Sequence, residues 1–265
     1  MRSVLSNTVL ALGLSVSATL ASAQSLYIND PAEFGTRLDI VSVCDDCYEE
    51  VSFTGVDQSF EFFGNTYSTA FVTSNGIVSF GSGYSGFSPQ PLDTQEFVPM
   101  IAGLFTDLDA RPVRSNIYLN DSTPGQLVIT WENMSTFSQD STNSTFQVVI
   151  RSDQFTVPAG EGKIGFFFGE IESPRDASGG FGDGLPESNP GEISLFFGPA
   201  TEQSFAPSRW FNLGAGGVPV DPDNSTDSDH TIQPIPTLGE WAMIGLVALM
   251  AVFGVGRVRG SRYQS

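Results

Sequence analysis

Apolar and polar positions alternate through the middle of this chain with the two-residue period of half-buried strands. Ser59-Phe60-Glu61-Phe62 alternates, Phe71-Val72-Thr73-Ser74 runs into Asn75-Gly76, and Ile77-Val78-Ser79-Phe80 follows. Two β-prone runs joined by Asn-Gly predict a hairpin, because both turn residues accept positive φ. The same pattern predicts strands at Ile117–Leu119, Gln126–Trp131, Thr145–Arg151, Lys163–Phe168 and Glu192–Phe197. Clusters of Gly, Pro, Asn, Asp and Ser separate them at the spacing of an all-β sandwich. No stretch of this body holds a helical period. Residues 174–190, rich in Gly, Ser, Pro and Asp, read as a long loop before a final strand pair that ends near Trp210 and Phe211. Phe62-Phe63, Phe166-Phe167-Phe168 and Phe196-Phe197 read as core fillers. A carbohydrate-stacking platform is the alternative, and it would favour exposed Trp and Tyr.

The two ends break the alternation. Arg2 precedes a mainly apolar stretch from Val4 to Leu20, and Ala21-Ser22-Ala23 is a small-residue cleavage box. These features predict a signal peptide over residues 1–23, cut after Ala23 to leave Gln24 as the new N-terminus. Ser3, Ser6, Asn7 and Thr8 interrupt the apolar stretch and disfavour a transmembrane helix in its place. At the other end, residues 214–234 hold Gly, Pro, Asp, Asn and Ser with almost no core formers, the composition of a tether. An apolar run from Ala242 to Gly256 follows, predicted as one hydrophobic helix about 22 Å long at ~1.5 Å per residue. A hydrocarbon core is about 30 Å thick, so the run is short for a lasting span, although an ordinary single-pass anchor is the rival reading. Arg257, Arg259 and Arg262 would keep this end cytoplasmic, with Trp241 at the opposite interface.

Composition narrows the function classes. Residues 24–234 carry 7 Lys+Arg and 29 Asp+Glu, a net charge of −22, and Lys163 is the only lysine. Such a body repels nucleic acid and anionic lipid surfaces, and it suits divalent cations or a saline medium. The only histidine, His230, lies in the tether, which removes histidine-based triads and histidine-rich zinc sites from the body. Two cysteines, Cys44 and Cys47, stand in a C-D-D-C arrangement. In an exported chain that spacing predicts a local disulfide, and the flanking aspartates would raise a thiol pKa rather than activate it.

Ile235-Pro236-Thr237-Leu238, the nearby Trp241, the short apolar segment and the basic end resemble the IPTL-CTERM sorting signals of Gram-negative bacteria. The resemblance implies that Ile235, Pro236, Thr237, Leu238 and Trp241 are recognised by an exosortase-type membrane protease. Pro236 lacks an N–H and holds the chain extended, as a protease cleft requires.

A second resemblance lies in the body. Phe60-x-Phe62-Phe63-Gly64-x-x-Tyr67, Val72-x-x-Asn75-Gly76-x-x-x-Phe80 and Pro99-Met100-Ile101-Ala102-Gly103-Leu104-Phe105-x-Asp107-x-Asp109 occur in order. Leu127-Val128-Ile129-Thr130-Trp131-Glu132 and Thr145-Phe146-Gln147-Val148-Val149-Ile150 follow. This series is similar to the nidogen-like (NIDO) extracellular domain over roughly residues 55–172, departing at Leu104-Phe105, where the family more often has a Trp. It implies an extracellular β-rich module of adhesion and matrix contact, and no enzymatic activity.

The expected organisation is therefore a signal peptide (1–23), one β-sandwich-like domain (24–213), an acidic linker (214–234) and a sorting segment (235–265). Asp107 and Asp109 alternate after an apolar strand, so extended backbone would turn both carboxylates to one side, where they could ligate calcium. They could equally cap a turn and pair with Arg111 or Arg114. Asp221-x-Asp223-x-Ser225-x-Asp227-x-Asp229 lacks the Gly and Glu of a calcium loop and reads as solvated linker. The leading expectation is an exported, non-enzymatic protein of the cell surface or extracellular matrix, tethered until processed. Its rivals are a calcium- or carbohydrate-binding lectin-like module, and a glycan hydrolase using Glu132, Glu170 or Glu172.

Overall fold

The computed structural model describes residues 25–55, 58–94, 96–200, 209–213 and 219–220. Among them lie sixteen strands: β1 (Thr36–Arg37), β2 (Tyr48–Ser52), β3 (Phe60–Phe62), β4 (Asn65–Tyr67), β5 (Thr69–Thr73), β6 (Ile77–Ser79), β7 (Met100–Phe105) and β8 (Leu108–Asp109). The series continues with β9 (Asn116–Asn120), β10 (Gln126–Thr136), β11 (Gln139–Arg151), β12 (Ile164–Ile171), β13 (Asp176–Gly182), β14 (Ile193–Pro199), β15 (Arg209–Leu213) and β16 (Pro219–Val220). The all-β class follows, with two short 3-10 turns, Pro31–Glu33 and Val41–Val43. No helix among the described residues is long and apolar enough to cross a membrane. The signal peptide with Ala23 and Gln24, the sorting residues Ile235, Pro236, Thr237, Leu238 and Trp241, the hydrophobic helix, and Arg257, Arg259 and Arg262 lie outside the described residues.

One sheet runs β1-β9-β10-β11-β12-β15-β16, with β8 also paired to β10; the other runs β14-β13-β7-β6-β5-β2, and β3 with β4 makes a separate hairpin. All of these pairings are antiparallel. One core joins the two sheets: Val72, Val78 and Leu104 from the second meet Ile129, Trp131, Phe146 and Phe166 from the first. Trp131 stacks on Phe146 with centroids 4.9 Å apart, and its indole N–H donates to the Thr73 carbonyl across the sandwich at 2.8 Å. That bond satisfies the polar edge of a fully buried ring.

Both outer faces are partly covered. Met100–Phe105 is buried at every position, because Leu92, Tyr84, Phe97 and Val98 pack on Ile77, Met100, Ala102 and Phe105 from outside. An unbroken apolar run is what a strand covered on both faces needs. On the other sheet, Tyr27, Ile28 and Trp210 cover Val128, Val149 and Phe167. There the Gln147 side-chain amide binds both polar backbone groups of Ile28, at 3.0 and 3.1 Å.

Several expectations require correction. The predicted hairpin forms, but only Gly76 takes positive φ, at 78°, in a three-residue connection. A β-carbon on Gly76 would sit 2.1 Å from the Leu104 carbonyl oxygen, so the position demands glycine for space as well as for φ. Residues 174–190 are not all loop: Asp176–Gly182 forms β13, in the middle of a sheet. Its small residues hid it, and they are also what lets it fit. A β-carbon at Gly180 would lie 1.9 Å from the Ile193 carbonyl oxygen. Phe62, Phe166, Phe167 and Phe168 are buried, whereas Phe197 is 48% exposed on the edge strand β14. Pro219–Val220, expected within the linker, pairs with Asn212 and Leu213.

Candidate functional site

The loops at one end of the sandwich are tied together by a single buried side chain. Asn75, 1% exposed, donates to the Asp46 carboxylate at 2.8 Å and to the Gly86 carbonyl at 3.1 Å. Its own carbonyl accepts from the Leu108 N–H at 2.9 Å. The hairpin turn thus fixes three other segments: the Cys44–Cys47 loop, the chain entering Phe87, and the Asp107–Asp109 stretch. A disulfide joins Cys44 to Cys47, and Ser74 holds that loop through its N–H, which donates to the Cys47 carbonyl.

Carboxylates collect on this frame. Oxygens of Asp45, Asp46 and Asp107 all lie within 4.8 Å of one another. Asp45 is pushed up to about 6 from 3.8, first by burial and then by the charges of Asp109 and Asp46, with Arg111 opposing. One of its oxygens makes a 2.9 Å ion pair with Arg111; the other is shielded from solvent and has no hydrogen-bond partner. Burial also raises Asp107, although Arg175 at 3.2 Å draws it back. Burial would raise Asp109 too, but two hydrogen bonds from the Arg111 side chain and one from its backbone N–H hold its carboxyl below the usual range.

The two aspartates picked out in the sequence therefore part company. Asp109 is occupied by Arg111, one of its two expected partners, while Asp107 turns to Arg175 and joins Asp45 and Asp46. Arg114 instead donates to Ser135 and to the carbonyls of Asp140 and Thr142. Calcium takes six to eight oxygens at about 2.3–2.6 Å, so oxygens up to 4.8 Å apart can share one ion. Among the described residues, the acids whose oxygens come together closely enough to hold a cation are Asp45, Asp46 and Asp107, while Asp109 is engaged by Arg111. Sequence reading missed Asp45 and Asp46, which stood in plain view between the cysteines. Two acids pinned by a local disulfide were the available signal.

Beside these acids lies an open groove of about 370 Å³, lined by Phe87–Pro89, Thr106, Asp107, Arg175 and Asp176. Phe87 is 49% exposed on its rim. Arg175 is steadied by Asp107 and by the Phe137 carbonyl, and Thr106 donates its hydroxyl to the Asp176 carbonyl at 2.8 Å. The glutamates considered for hydrolysis lie elsewhere. Glu132 hydrogen-bonds Tyr118 and Asn116, while Glu170 and Glu172 both accept from Asn143.

The fold and its candidate site define an antiparallel β-sandwich module with an acidic, loop-built end. A family model described as NIDO related matches residues 21–178, and the chain belongs to that family. The IPTL-CTERM motif matches residues 233–260. Together they mark an exported protein sorted to the cell surface. No curated protein and no solved structure matches the chain.

Proposed function

We propose that this protein is a binding or structural component of the cell surface or extracellular matrix, serving adhesion or biofilm cohesion without an enzymatic step. The observation that carries this reading is the convergence of the hairpin Asn75, the disulfide loop and Asp107 on one exposed end. Loops fixed by a rigid scaffold are where binding residues concentrate. A body of net charge −22 directs that contact away from nucleic acid and anionic membranes. The tail supplies the address: the chain is held at the membrane until an exosortase-type protease acts near Ile235–Leu238.

The test separates export from contact. Phe87→Ala and Asn75→Ala variants of the full chain should be exported and processed like the parent, yet move from the matrix fraction to the soluble medium. Phe87→Ala alters an exposed ring, so its fold is not in question. If both variants stay with the matrix at parental levels, the reading is wrong.

The clustered oxygens of Asp45, Asp46 and Asp107, together with the unpartnered Asp45 oxygen, favour a second reading in which calcium stabilises this end. Calorimetric titration of the full chain with calcium addresses it directly. Heat and a raised melting temperature, both lost in Asp46→Asn, are expected. Neither heat nor a thermal shift in the parent would exclude the reading.

A further inference from the structure

The groove beside the carboxylates has the features of a saccharide subsite. Its volume, about 370 Å³, lies near the lower end of the range of small-ligand pockets, roughly 300–1,000 Å³. Its lining combines the half-exposed Phe87 and Pro89 from one segment with Asp107, Arg175 and Asp176 from two others. The aromatic wall is positioned rather than loose, because Asn75 anchors the adjoining Gly86 carbonyl. The polar wall is equally fixed: Arg175 is held from both Asp107 and Phe137, and the Asp176 backbone is held by Thr106. An aromatic ring lining the same groove as carboxylates and a guanidinium suits a ligand with one apolar face and an edge of hydroxyl or amino groups.

Charge selects among such ligands. Asp107 is matched by Arg175, whereas no described cation forms an ion pair with Asp176. Asp45 and Asp46 add further negative charge beside Asp107. A uronic acid or sulfated sugar would meet repulsion here. A neutral sugar could use the ring and the hydroxyl acceptors but would leave the Asp176 charge unmatched. An ammonium group answers it, and a cation beside an aromatic face gains further attraction.

We propose that this groove binds the amino sugar residues of a cationic polysaccharide, with the sugar face on Phe87 and the ammonium group at Asp176. The inference rests on the binding-module reading and gives that module a partner class.

The full chain, purified as exported, is titrated calorimetrically with a short β-1,4-linked glucosamine oligomer and separately with its fully N-acetylated form. The free-amine oligomer should bind, and the acetylated one should bind at least about tenfold more weakly. Phe87→Ala and Asp176→Asn should each weaken the free-amine complex by about tenfold. Glu50→Gln removes the same charge from an exposed position on the edge strand β2, and it should leave binding unchanged. Equal binding of both oligomers, binding of neither, or equal losses in all three variants would overturn the proposal; the last of these is the signature of diffuse attraction to an acidic body. If the oligomers fail while the parent still stays with the matrix and Phe87→Ala still releases it, the module reading survives without this ligand.

Discussion

Asn75 and Asp46 meet at 2.8 Å, so the turn of one hairpin grips the loop closed by the only disulfide among the described residues. The contact gives Asn75 a purpose beyond turn chemistry. It reaches Asp46, Gly86 and Leu108 with a single amide.

Removing that amide should therefore cost more than a surface contact. Asn75→Ala leaves the buried Leu108 N–H without this acceptor and unties two loops. We expect a loss of about 2–4 kcal/mol, in the range for a broken buried hydrogen-bond network, read from urea unfolding midpoints. A loss below about 0.5 kcal/mol would show that the loops hold themselves.

Gly76 and Gly64 share almost the same positive φ, 78° and 77°, and differ in what surrounds them. An added β-carbon meets nothing within 4 Å at Gly64 but lies 2.1 Å from a backbone oxygen at Gly76. Gly64→Ala should cost about 1–2 kcal/mol, the left-handed backbone penalty alone. Gly76→Ala should cost more, because the hairpin must separate from β7. Equal costs would mean that φ, not space, sets the requirement.

Asp45 predicts an unusual pH dependence. Its folded pKa is raised from 3.8 to about 6, so the folded state holds this proton more tightly than the unfolded chain does. The associated stabilisation is complete below about 4 and is lost as pH rises through 6. Asp107 is shifted in the same direction, while Asp109, shifted down, weakens the fold only as pH falls through its own lower range. Melting temperature should thus rise between pH 7 and 5, and Asp45→Asn should flatten that rise. A parental protein that loses stability over this interval would contradict the electrostatic picture.

Arg151 is fully buried, lies 4.3 Å from the centre of the Trp210 ring and 4.8 Å from that of Phe155, and pairs with Glu161. It also donates to Gln126 and to the Tyr27 hydroxyl, so it fastens the N-terminal segment to the sheet. Lysine keeps the charge but loses the planar fork and the stacking. Arg151→Lys should cost about 2–4 kcal/mol and change Trp210 fluorescence. An unchanged emission spectrum would show that the cation does not order Trp210.

Much of the fold was legible because its signals are local. Asn75-Gly76 between β-prone runs announced the β5–β6 hairpin, and the run through Leu127–Trp131 announced β10. β13 was hidden because Asp-Ala-Ser-Gly-Gly-Phe-Gly has little strand propensity of its own; its place comes from two neighbouring strands that approach too closely for larger side chains. The site was half legible for a similar reason. Asp107 stood out by its spacing, but its companions Asp45 and Asp46 arrive from a distant loop, and no local period records such a contact. Phe197 misled in the opposite sense, since a strand phenylalanine at a sheet edge can face solvent.

The sorting of this chain rests on the address carried by its tail. Deleting residues 235–265 and fractionating cells for the remaining chain tests it most directly. Loss of cell-surface retention and of C-terminal processing is the predicted result. Unchanged surface localisation with unchanged processing would contradict it.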